Sequence, residues 1–193
     1  MLMVNIFTFS LAKLGLSPVG AIFLLWASLI GSVINIPLSR ERVLVKQPQP
    51  FFFFNHPPVV QERVICINVG GAVIPLIFSL YLLFARAPLW PTSVGITVVA
   101  LVTKILARPV PGVGISLPAF IPPLVAAAVA ILIGGPHAPP VGYISGALGT
   151  LIGADLLNWR AIRSLGAQVV SIGGAGVFDG IFLVSIVAAF LSW

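Results

Sequence analysis

Six polar residues sit in or beside apolar stretches of this chain: Asn35, Asn68, Lys104, Asp155, Asn158 and Asp179. Two of them are acids; the chain's other acids, Glu41 and Glu62, lie in a polar stretch. An aspartate at the centre of a bilayer costs roughly 2.5–3.5 kcal/mol on insertion scales, so an acid kept in an apolar run points to a use. Asp155 lies close to the end of one apolar run, and Asp179 a short way into the next. The connection from Trp159 to Val170 is short, which makes the two runs antiparallel neighbours and sets both carboxylates at similar depth. Two close carboxylates resist ionising together and hold one proton between them. The ionised member can activate a water while the protonated one donates to a carbonyl, which is peptidase chemistry. The same acids, lined by Asn35, Asn68 and Asn158, equally suit a bound cation or proton. A plainer reading pairs Asp155 with Arg160 and Arg163. It also puts Asp179 in the first turn of a helix that starts late, after Gly173, Gly174 and Gly176.

These residues must be positioned by elements built for lipid. Of 193 residues, 59% are hydrophobic and 7% charged, with a mean hydropathy of +1.16. A soluble domain carries about 25% charged residues, and a globule of this size needs a polar skin that this chain cannot supply. The expected fold is all-α, a single polytopic transmembrane domain over residues 1–193 with about six helices. Apolar runs place the spans near 18–38, 64–85, 92–107, 115–135, 139–158 and 171–193, with a polar cytoplasmic loop over 39–63. From Arg108 to Pro123 prolines and glycines interrupt the pattern. That stretch reads either as a broken helix, with Pro118 lining a substrate site, or as an interfacial loop before a kinked helix. Residues 1–17 either lie at the interface or extend the first helix.

The charge of +6 is explained by topology rather than by nucleic acid, because the basic residues are scattered through short connections. With alternating sides, one face receives Arg40, Arg42, Lys46, Arg63, Lys104, Arg108, Arg160 and Arg163, and the other only Lys13 and Arg86. The positive-inside rule puts the richer face in the cytoplasm and both termini outside. Lys104 reads as a snorkelling cation or as a counter-ion to the aspartates. The Phe51–Phe54 run reads either as a partner-docking site or as a run lying at headgroup level. Cys66 reads as a small hydrophobe, and His56 and His137 lie too far apart for a zinc site. No metal and no cofactor are expected. Gly142, Gly146, Gly149 and Gly153 share one helical face and form a groove for close packing, with Asp155 roughly opposite. The Gly31–Pro37 segment loosely echoes Ile67–Gly70.

Several of these segments carry a resemblance. Asn35-Ile36-Pro37, Asn68-Val69-Gly70-Gly71, Arg108 to Gly114, Gly153 to Asn158 and Gly173 to Phe182 resemble a prokaryotic membrane family catalogued as domain of unknown function 1614. The resemblance implies a bacterial or archaeal integral membrane protein and brings no known activity. A weaker similarity, of sites only, is to the GxGD intramembrane aspartyl proteases, the presenilin and signal-peptide-peptidase group. Here Gly176-Val177-Phe178-Asp179 has Phe where the second glycine belongs, Asp155 follows Ala154, and Pro118-Ala119-Phe120 precedes the aspartates.

Two function classes therefore stand beside a non-catalytic membrane scaffold. One is an aspartyl intramembrane peptidase using Asp155 and Asp179 on a transmembrane peptide. The other is a cation- or proton-coupled transporter using the same acids, although six spans is small for one unless the chain forms a homo-oligomer. The bilayer is the common partner. The charge split generates a direct test: single cysteines in the 39–63 and 159–170 segments are expected to react with an impermeant thiol reagent from one and the same side, the cytoplasmic one. Labelling from opposite sides would remove the six-span topology.

Overall fold

The computed structural model describes residues 11–45, 59–110, 114–164, 167–174 and 180–192, and it is mostly helical. Helix α1, Pro18–Gly31, begins on Ser17, whose hydroxyl accepts the Gly20 N–H at 3.1 Å, and has Pro18 in its first turn. Proline costs nothing there, because the first-turn N–H groups have no partner inside the helix. The chain then turns into strand β1, Asn35–Val45, which pairs antiparallel with β2, Val59–Asn68. A single wide turn, Val69–Val73, leads from β2 into α2, Ile74–Ala85. Helix α3, Leu89–Leu106, is followed by a small hairpin of β3, Arg108–Val110, and β4, Gly114–Ser116. Next come α4, Ile121–Ile133, and α5, Ala138–Thr150, which runs on through a second wide turn at Leu151–Leu156. Both wide turns have π geometry, with bonds reaching five residues along the chain, as from Leu157 N–H to Ile152 O at 2.8 Å. Short helix α6, Trp159–Ser164, strand β5, Val169–Ile172, and helix α7, Gly180–Leu191, complete the chain.

The sheet alters the expected span boundaries. The run over 18–38 is helical only to Gly31. The polar stretch over 39–63 is not a loop: its described residues belong to the β1–β2 hairpin. Within the run over 64–85, Val64–Asn68 is strand and helical structure starts at Val69. The last run begins as strand through Ile172. Physical causes are local. β-Branched Val33, Ile34 and Ile36 favour extended backbone, and Pro37 cannot donate inside a helix. Strand β5 lies parallel to β2 over Val64–Ile67 and Val169–Ile172, giving the order β1-β2-β5. The Pro/Gly-rich stretch does not break a helix either. It forms the β3–β4 hairpin and a turn, and Pro122 and Pro123 sit buried in the first turn of α4.

Helix α5 runs parallel to α3 and antiparallel to α4 and α7, and the sheet caps one end of the bundle. At that end lie the C-terminus of α1, the start of α2 and the last turns of α3 and α5. At the opposite end Lys13 donates to Phe190 O at 3.2 Å, and Ala87 packs on Ala130, Ala138 and Val141. Helix α5 runs through the middle, against α2, α3, α4 and α7, with all but two of its residues buried. The glycine face of α5 serves several partners in succession. Gly142 faces Ala188 and Ser192 of the α7 end and Ala130 of α4, while Gly149 and Gly153 face α3. A Cβ on Gly149 would stand 2.6 Å from Val99 Cβ; one on Gly153 would strike Thr103 Oγ1 and the Ala100 backbone.

Around this buried axis the outer surface is apolar. Val19, Phe23 and Ile30 of α1, Phe84 of α2, Trp90 and Ile105 of α3 and Leu132 of α4 are each more than 60% exposed. Helix α3 is long and apolar enough to cross a membrane; α1, Val69–Ala85 and α4 are apolar but shorter. A 14-residue helix such as α1 spans about 21 Å.

The packing at Gly153 generates a stability prediction. Gly153→Ala is expected to destabilise the bundle by about 1–3 kcal/mol, the usual cost of overpacking. Gly20→Ala, where the added Cβ meets its nearest atom at 3.4 Å, should change little. Thermal unfolding of both variants in detergent measures the difference.

Candidate functional site at the sheet end of the bundle

The polar residues collect where α1, the sheet and the two wide turns meet. Asn35 opens β1 and Asn68 closes β2, and they are direct partners in the strand register. The faint echo between Gly31–Pro37 and Ile67–Gly70 thus falls at the end of this strand pair. Asn68 satisfies three groups at once. Its Oδ1 accepts the Gly71 N–H at 2.8 Å, capping the first wide turn, while Nδ2 donates to Ser32 O at 2.7 Å and Asn35 Oδ1 at 3.2 Å. The bond to Ser32 O takes a carbonyl at the end of α1 that has no helical partner. Asn35 Oδ1 also accepts from Ser171 Oγ of β5 at 2.5 Å. One amide pair therefore ties α1, β1, β2 and β5 together. Beside it α1 and the first wide turn cross closely: a Cβ on Gly31 would lie 2.9 Å from Gly70 N.

Asp155 reaches the same region from the second wide turn. Its Oδ2 accepts the Gly173 N–H at 2.7 Å, one residue past the end of β5. Gly173 has φ +73°, and a Cβ there would stand 2.7 Å from Ala72 Cβ and 2.8 Å from the Gly71 carbonyl carbon. Only glycine combines that left-handed backbone with so close an approach. The carboxylate is half-buried, and its partner is a backbone amide rather than Arg160 or Arg163. Arg163 is taken by Glu41 at 2.6 Å.

The other candidates divide. Asn158 donates to Gly153 O at 3.0 Å and Lys104 O at 3.5 Å, so it ties the end of the second wide turn to α3 on a different side from the Asn35–Asn68 pair. Lys104 is exposed and has no ion pair among the described residues. Pro118 is exposed on the turn before α4. Asp179, the Phe51–Phe54 run, Lys46 and His56 lie outside the described residues, so the Asp155–Asp179 distance is outside them too. Cys66 is buried on β2. Among the described residues no group of three His, Cys, Asp or Glu could hold a metal ion.

Two residues of the junction escape a reading by polarity alone. Ser171 falls at the edge of an apolar run and looks like the first residue of a span. Gly173 looks like a helix-start glycine, whereas its N–H is the donor that fixes Asp155. The signal for both was the Val-Val-Ser-Ile run itself, whose β-branched residues suit a short strand ended by Gly-Gly.

No curated protein and no solved structure matches this chain. The protein of unknown function family DUF1614 matches residues 29–191, a range that holds every described element from the end of α1 to the end of α7. The chain belongs to the DUF1614 family.

Proposed function

We propose that this chain is an integral membrane protein that crosses the bilayer six times, with its sheet end in the cytoplasm and both termini outside. The apolar side chains exposed around the bundle support this reading, since large apolar patches face water rarely in soluble monomers. The charges support it as well. Arg40, Arg42, Arg63, Lys104, Arg108, Arg160 and Arg163 belong to the sheet end, whereas Lys13 and Arg86 lie at the other, as the positive-inside rule requires.

Within that frame Asp155 and Asp179 form the working pair of an aspartyl-type intramembrane peptidase acting on a transmembrane peptide. The observation that carries this reading is Asp155. It is half-buried at the end of an apolar helix, and one carboxylate oxygen is fixed by the Gly173 N–H. The chain reaches Asp179 six residues after Gly173. One acid would take a proton from the attacking water while the other donates to the scissile carbonyl. A cation site is less well served. The side-chain oxygens of Asn35 and Asn68 are both engaged by protein donors, and a cation would have to displace those donors.

Reconstituted protein with a transmembrane peptide provides the test. Asp155→Asn and Asp179→Asn are each expected to lower cleavage by at least about 10²-fold. Asp155→Asn should unfold like the wild type, because an amide oxygen still accepts the Gly173 N–H. Asp155→Ala leaves that N–H without its partner and should cost about 1–3 kcal/mol. Wild-type cation flux without cleavage, lost in the Asn variants, would move the same acids to a transporter. Neither activity in the wild type would leave a scaffold.

A further inference from the structure

The sheet end carries cations that the junction does not use. Three acids are described there, and each is engaged. Glu41 pairs with Arg163 at 2.6 Å, Glu62 lies 4.0 Å from Arg42, and Asp155 accepts from Gly173. Lys104, Arg108 and Arg160 are exposed and have no ion pair among the described residues. They belong to two segments held together, one running from the end of α3 into β3 and the other leading into α6. The Asn158 amide, reaching the Lys104 carbonyl at 3.5 Å, joins the last turn of α3 to the chain just before α6. Arg108 follows four residues after Lys104, and Arg160 two after Asn158. The same elements expose Ile105 at 79% and Leu156 and Leu157 at 47% each.

We propose that the segment from the end of α3 into β3, together with the segment that leads into α6, binds an anionic phospholipid, with Lys104, Arg108 and Arg160 facing its phosphate and Ile105, Leu156 and Leu157 lying along its acyl chains. The inference rests on the membrane reading above and is independent of the peptidase reading. Unneutralised cations on the rim of an apolar surface call for a partner whose negative head and apolar tails are one molecule. Free phosphate meets only the first requirement. A zwitterionic lipid meets the second but brings its own cation to the head. Basic side chains can keep their stems on apolar surface while the charge reaches the headgroup plane, where each attracts an anionic leaflet.

Trp159, next to Arg160 in sequence, is the reporter. In protein carrying Trp26→Phe, Trp90→Phe and Trp193→Phe, reconstituted in phosphatidylcholine vesicles, brominated phosphatidylglycerol should quench Trp159 more strongly than brominated phosphatidylcholine at equal mole fraction. Lys104→Gln, Arg108→Gln and Arg160→Gln should each lower that preference about fivefold. Arg86→Gln, at the other end of the bundle, should leave it unchanged. Equal quenching by the two lipids, or a preference that survives the triple Gln variant, would overturn the site. A preference erased by added inorganic phosphate would reduce it to a simple anion site and overturn the lipid assignment. Failure of either lipid to quench at all would count against the membrane reading itself, and so separates the two failures.

Discussion

How near α5 lets its neighbours come is the constraint on which the rest of the structure depends. Small residues on a helix face let neighbouring backbones come close enough for dense packing. Helix α5 is built for that, with Gly149 and Gly153 set against Val99 and Ala100 of α3 and Gly142 against the end of α7. Because Gly153 lies directly on the α3 backbone, the height of the second wide turn is set by that contact. Asp155, two residues on, then leaves the turn on another side and reaches the Gly173 N–H. The face that packs on α3 and the face that carries Asp155 are thus decided together.

The junction at the sheet end solves a related problem. Several chain reversals meet there, and each leaves backbone groups that must find partners away from bulk water. Asn68 serves the end of α1 and the first wide turn with one side chain, and Asn35 extends the same network to Ser171 of β5. Asp155 serves the turn after β5. Polar residues that look like ligands in an apolar sequence are here, for the most part, fastenings, and the carboxylate is the member whose second oxygen has no such duty among the described residues.

Much of this was legible in the sequence, and the rest was hidden for identifiable reasons. The helices were legible because apolar runs mark them, whatever solvent surrounds them. The glycine face of α5 was visible from its spacing, although not that different helices share it. The sheet was hidden because β2 and the helix after it form one unbroken apolar run, and a hydropathy window does not separate a buried strand from a helix. Proline density misled in the same way. Pro122 and Pro123 read as breakage in an apolar stretch but sit in the first turn of α4, where they are harmless. Asp155 stood out as an acid in an apolar run. Its partner, a backbone amide on a later element, has no signature in residue type.

The parallel pairing of β2 with β5 carries a consequence for how the protein is made. The contact between Arg63 Nε and Ala167 O, 3.3 Å long, joins residues 104 positions apart. Helices α2 to α6 are all synthesised between them. The β1–β2 hairpin therefore leaves the ribosome with one edge of β2 bare, and keeps it bare until the last strand emerges. A naked edge invites pairing with other chains, and long-range strand pairing is slow to close. On β2 itself the charged residues Glu62 and Arg63 discourage foreign strands while the helices are laid down. Closure of the sheet by β5 then waits on nearly the whole chain, so a chain interrupted before Val169 would lack both the strand that covers β2 and the helix α7 that follows it.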